Sequence, residues 1–256
     1  MIAQAPSVRL RRQRNVLLGL LLALAAICWL LVVRQAGMPG ATGPAMGMAL
    51  PVFLFAWVAM MVAMMFPTAA PMILMYGTVS AGKRQRAEPF VPTWVFVTGY
   101  LAVWVGFGVL AFGAATGIGG LSRGSPWLMG NAARLGGLLL VIGGLYQLSP
   151  LKNVCLAKCR SPLSFILTSW RDGYAGAFAM GLKHGMYCLG CCWLLFAILF
   201  PLGLMNIAAM VGLTVLIFAE KSLPFGLAIP RVAGVALIAY GGIVIVTSAG
   251  LPGMAM

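Results

Sequence analysis

Six cysteines and 17 methionines are the main reactive stock of this 256-residue chain, because only one histidine and three acids accompany them. The segment GLKHGMYCLGCCW carries His184, Cys188, Cys191 and Cys192. At about 100° per residue on a helix, His184, Cys188 and Cys191 fall within about 60° of arc, and Cys192 widens it to about 100°. One stripe thus presents three thiols and an imidazole. Such soft donors suit Cu(I) or Zn(II), whereas Mg(II) and Ca(II) prefer oxygen. A solitary cysteine in an apolar helix, such as Cys28, reads as a small filler; four donors on one stripe do not. An ionisable group at apolar depth is also a functional candidate by default, which adds weight to His184.

A second sulfur set lies in AWVAMMVAMMFPTAAPM, where Met60 and Met64 share one helical stripe and Met61 and Met65 the next. Thioethers bind Cu(I) well and Zn(II) poorly, so this set favours copper and leaves zinc second. Met38, Met46 and Met48, with Met254 and Met256, offer a loose collecting surface on the outer side. Cys155 and Cys159, in PLKNVCLAKCRSP, make a weaker second site. Lys152, Lys158 and Arg160 beside them favour thiolates. The pair would pass metal to or from a carrier, or cycle as a redox dithiol; a structural disulfide is not expected in a reducing compartment.

The elements that must position these donors follow from composition. Hydrophobic residues make up 62% of the chain and charged ones 8%, with a mean hydropathy of +1.03. Soluble domains carry about 25% charged residues, so the chain reads as an all-α polytopic membrane helix bundle, with the lipid bilayer as its solvent. About seven transmembrane helices are expected, at about 15–33, 51–79, 91–115, 131–148, 174–200, 204–219 and 232–249. They form a single bundle over about 15–250, between a basic cytoplasmic N-terminus (1–14) and a short outer tail (251–256). Pro67 and Pro71 are expected to kink the second span or end its regular part. Gly106, Gly108, Gly113, Gly136, Gly137, Gly143 and Gly144 read as sites of close helix approach.

The net charge of +14 raises the question of a polyanionic partner. Its distribution answers it. With the N-terminus inside, the cytoplasmic segments hold Arg9, Arg11, Arg12 and Arg14, then Lys83, Arg84 and Arg86, then Lys152, Lys158, Arg160 and Arg171, then Lys221 and Arg231. Only Arg34, Arg123 and Arg134 fall on the outer side or at helix edges. That asymmetry orients a membrane protein, and no separate basic domain exists to bind nucleic acid. Lys183 alone is unassigned by this count, about 100° round the helix from His184. Glu220 and Lys221 read as an interfacial anchor at the inner end of the sixth span, because a proton relay would need more titratable partners.

Three segments together, WVAMMVAMMFPTAAPM, YQLSPLKNVCLAKCRSP and GLKHGMYCLGCCWLLFAILFPLGLMNIAAM, with Glu220-Lys221 as a fourth match, resemble the DUF2182 family of integral membrane proteins. The resemblance covers most of the chain from Trp57 onward. It implies metal binding, with Met60, Met61, Met64, Met65, Cys155, Cys159, His184, Cys188, Cys191 and Cys192 as the ligand candidates. Lys158 stands where the family tends to have histidine, and Phe196 where it tends to have methionine, so the Cys155/Cys159 loop has one donor fewer.

The leading expectation is Cu(I) bound between the second and fifth spans, for transport or for delivery to a membrane cuproenzyme, in a bacterial inner membrane. A copper carrier is a further expected partner. No ATP-binding loop is present, so the chain is no self-contained pump. Two other readings stand beside it: an accessory subunit of a multi-subunit membrane complex, and a membrane thiol-disulfide oxidoreductase using Cys188, Cys191 and Cys192.

Overall fold

In apolar surroundings a backbone must satisfy its own polar groups, and for a single chain segment only a helix does so. The computed structural model describes residues 6–38, 44–225, 227–248 and 250–251, and among these every long element is α-helical. The helices are α1 (Pro6–Ala36), α2 (Leu50–Gln85), α3 (Thr93–Gly124), α4 (Pro126–Gly130), α5 (Ala132–Leu148), α6 (Pro150–Arg160), α7 (Pro162–Ser169), α8 (Gly173–Ala197), α9 (Leu199–Leu202), α10 (Ile207–Ser222) and α11 (Ala228–Thr247). A 3₁₀ turn at Pro44–Gly47 precedes α2.

Five helical stretches are long and apolar enough to cross a membrane: Arg9–Ala36, Leu50–Gln85, Thr93–Gly124, Gly173–Leu202 and Ala228–Thr247. A sixth arises if α5 and α6, bent by 62°, count as one span. All seven expected segments are helical, but α10 has only 16 residues, about 24 Å of rise against an apolar core of about 30 Å.

The bend between α5 and α6 has a local cause. Pro150 lacks the N–H that would continue α5 and suits the first turn of a new helix. Ser149 caps that turn, its hydroxyl oxygen accepting from the Lys152 N–H at 3.2 Å. The prolines of α2 behave otherwise. The helix runs through Pro67 and Pro71 without ending, and the Thr68 hydroxyl donates to the Met65 carbonyl at 3.0 Å between them.

Helix order in space follows from small residues. A Cβ on Gly181 of α8 would overlap the Phe96 carbonyl of α3, and one on Gly99 of α3 would overlap the Phe178 carbonyl of α8, so these backbones touch. Gly137 and Gly144 of α5 meet Gly241 and Gly234 of α11 in the same way. Gly106 and Gly113 face open space instead, which corrects the packing role expected of them. The best apolar window is 56% buried in α2 and in α8–α9 but 17% in α1 and 22% in α11. The centre of the bundle is therefore α2 and α8, with α1 and α11 outside.

At one end, Lys83 of α2 pairs with Asp172 at the start of α8 at 2.5 Å and lies over the Trp170 ring. Hydrogen bonds from Lys83 and Trp170 hold the Asp172 carboxyl below its usual range.

Candidate metal centre

His184, Cys188, Cys191 and Cys192 all lie on the buried side of α8, each at most 2% exposed. The Gly99–Gly181 contact sets α3 close enough for Tyr100 to stack on His184, with ring centroids 5.6 Å apart. Phe96 stacks on the same imidazole, and Phe165 of α7 meets it edge-on. Among the described residues, neither ring nitrogen of His184 has a hydrogen-bond partner. Leaving a buried polar atom unpaired costs about 1–3 kcal/mol, so a group in this state in a well-packed core calls for a ligand or another explanation.

Cys188 is the hub of the thiols. Its sulfur lies 3.3 Å from the Tyr100 hydroxyl of α3 and accepts from the Lys221 ammonium of α10 at 3.1 Å. The Cys191 and Cys192 thiols turn back to the Cys188 carbonyl, at 3.1 Å and 2.7 Å. Cys159, on α6 where that helix lies along α8, is partly buried against the same core. Cys155 packs on the same helix, its sulfur against Gly190 of α8, where any side chain would displace it. All described cysteines are free thiols. The bend at Pro150 is what turns α6 back along α8. It brings the Cys155 and Cys159 helix alongside the helix that carries Cys188, Cys191 and Cys192.

The methionines are more loosely connected. Met60, Met61, Met64 and Met65 are all buried in the core, and Met65 has a traceable polar link to the thiols. The Thr68 hydroxyl lies 3.9 Å from the Met65 sulfur, and Lys221 donates to that hydroxyl at 3.5 Å while also holding Cys188. Of the collecting surface, Met38 is exposed and Met48 accepts from Gln35. The side chain of Met46 and the residues Met254 and Met256 lie outside the described residues.

One sequence expectation is corrected here. Lys183, turned about 100° from His184, is exposed and donates to Ser169 at 2.9 Å, and the cation at the thiols is Lys221. Glu220 and Lys221 do not form the interfacial anchor expected of them. Glu220 pairs with Lys152 at 2.7 Å with both side chains at most 1% exposed, and it accepts from Gln147 at 2.9 Å. Lys152 also donates to Gln147. A carboxylate on an apolar helix must find a partner, and Lys152, just past the proline bend, supplies it. The lone acid in an otherwise apolar segment was the available signal. Tyr100 and Thr68 carry no such signal in sequence.

Among the described residues, no group of three or more His, Cys, Asp or Glu side chains is placed to hold a metal ion. Zn(II) sites are almost always four-coordinate, whereas Cu(I) accepts fewer soft donors. An imidazole without a hydrogen-bond partner among the described residues and several free thiols match that demand by donor type.

Fold and side chains together describe an all-helical protein with five or six apolar helices long enough to span a membrane and a buried group of thiols beside an imidazole. Residues 54–244, most of the chain, match the family model PpoB2, described as a copper chaperone, and the chain belongs to that family. Copper is accordingly its metal. No curated protein matches the chain, and no solved structure does.

Proposed function

We propose that the protein is a membrane-embedded copper chaperone that holds Cu(I) on thiols of α8 and α6 and releases it to a partner cuproenzyme or carrier. The observation that carries this reading is the burial of His184, Cys188, Cys191 and Cys192 on one side of α8, with the Cys155 sulfur of α6 against Gly190 and neither His184 nitrogen partnered among the described residues. In this reading Cys188, Cys191, Cys192 and Cys159 are the thiol ligands, and His184 flanks them. Met65, with Met60, Met61 and Met64 behind it, receives or supplies the ion on the α2 side. Cys155, only partly buried on α6, is the entry thiol. Because no two of these helices supply all the donors, the site lies among α2, α6, α8 and α10 rather than between the second and fifth spans alone.

The Lys/Arg asymmetry supports an N-terminus inside and seven crossings, with α10 as a short one, in a bacterial inner membrane. Burial of Cys188, Cys191 and Cys192 to at most 1% exposure disfavours the oxidoreductase reading, since exchange needs an attacking thiol to reach the sulfur.

Copper content of the purified full-length chain, compared with a Cys188→Ser, Cys191→Ser, Cys192→Ser variant, tests the site. The variant is expected to lose most of its bound copper. Equal copper in both would reject these thiols as the ligands.

A further inference from the structure

Lys221 is a charged residue on an apolar helix whose one acidic neighbour in sequence is already occupied. Glu220 gives both carboxylate oxygens to Lys152 and Gln147. The Lys221 ammonium instead faces sulfur. It donates to Cys188 at 3.1 Å, the residue whose carbonyl the Cys191 and Cys192 thiols face. It also donates to the Thr68 hydroxyl at 3.5 Å, which leads to the Met65 sulfur.

Charge in apolar surroundings is tolerated only where it is paired. When Cu(I) displaces two thiol protons to solvent, one positive ion and two thiolates leave a single net negative charge. An ammonium fixed at the thiols neutralises it. We propose that Lys221 is the built-in counter-charge of the copper-loaded cluster, and that it marks the border between the thiol set and Met65. The proposal rests on the copper-site reading above. Because the ammonium bridges Cys188 and Thr68, an ion moving from thiolate to thioether has to pass it. Cation repels cation along that path, so Lys221 favours retention on the thiols until a partner draws the copper away. The side chain acts on copper through the thiolates, as a positioning residue.

The test uses the full-length chain in detergent micelles, loaded with Cu(I) and challenged with a soluble Cu(I) chelator such as bathocuproine disulfonate. Lys221→Gln keeps a hydrogen-bond donor but removes the charge; Lys221→Arg keeps the charge. The expected result is that Lys221→Gln yields copper to about tenfold less chelator, or lower still, while Lys221→Arg stays near the parent protein. X-ray absorption should show fewer sulfur ligands per copper in Lys221→Gln. Lys221→Met, an apolar side chain of similar length, reads the same loss should the glutamine variant fold poorly.

Parent-like retention in both Lys221→Gln and Lys221→Met overturns the proposal. So does equal weakening in Lys221→Gln and Lys221→Arg, which would make the residue a packing element only. The Cys188→Ser, Cys191→Ser, Cys192→Ser variant runs alongside. If it releases its copper and Lys221→Gln does not, the counter-charge falls and the site stands; if it holds copper like the parent, both fall.

Discussion

For packing alone, position 184 would be better served by phenylalanine. The imidazole lies among Phe96, Tyr100 and Phe165, and its nitrogens gain no bond among the described residues in return for losing water. His184→Phe should therefore raise the melting temperature of the copper-free protein, by about 1–3 kcal/mol of stability, while lowering its copper content. A scan of thermal unfolding against metal analysis checks both halves, and a fall in both together would mean that His184 is structural. Opposed effects of this kind are the usual mark of a functional residue. At this scale much was legible in advance, because the spacing of His184, Cys188, Cys191 and Cys192 is a property of one helix. Tyr100, Thr68 and Lys221 were not legible as members of the site. Each reaches Cys188 directly or through another side chain from a different helix, and sequence spacing is silent on contacts between helices.

Among the elements, α6 is the one whose placement decides the site, and a buried ion pair places it. Lys152 ties α6 to Glu220 of α10 with Gln147 of α5 closing the triangle. Lys152→Met alone would strand the carboxylate, at an expected cost of about 3–5 kcal/mol, and would loosen α6 from α8. The double variant Lys152→Met, Glu220→Leu should recover most of the stability, because an apolar pair of similar size often replaces a buried ion pair without loss. Unfolding midpoints of the three proteins decide the matter; a double variant no better than the single one would refute the account. Most helices were readable from apolar runs, but α6 was not, because the polar stretch after Leu148 read as a loop where the structure has a helix. The prolines of α2 do not end it, since the helix runs on through Pro67 and Pro71 as the span drawn across them required. The fold-back of α6 onto α8 left no periodic trace at all.

At the scale of the molecule, the +14 charge and the apolar exterior describe one object. Large side chains such as Leu110, Leu167 and Val246 are 70%, 74% and 84% exposed, a surface suited to lipid and unsuited to water. The orientation argued from Lys and Arg gives a direct expectation. Single cysteines introduced at Ala87, between α2 and α3, should resist a membrane-impermeant thiol reagent in intact cells, while ones at Ser125, between α3 and α4, should react. The reverse pattern would invert the bundle, and with it the side from which Cys155 takes up copper. Composition made the solvent legible; the number of full crossings was less so, because α10 and the bent α5–α6 pair are apolar enough yet too short or too bent to count with the rest.

The 62° bend at Pro150 also bears on how loading is felt by the fold. The bend lays α6 along α8, with only α7 between them in the chain. In the proposed reading an ion held by thiols of both helices is a cross-link, and its binding energy becomes part of the free energy of keeping α6 folded against α8. Cargo and clasp would then be the same atom: the Lys152–Glu220 pair sets α6 in place in the empty protein, and copper would add a second latch that stays shut until a receiving protein removes it.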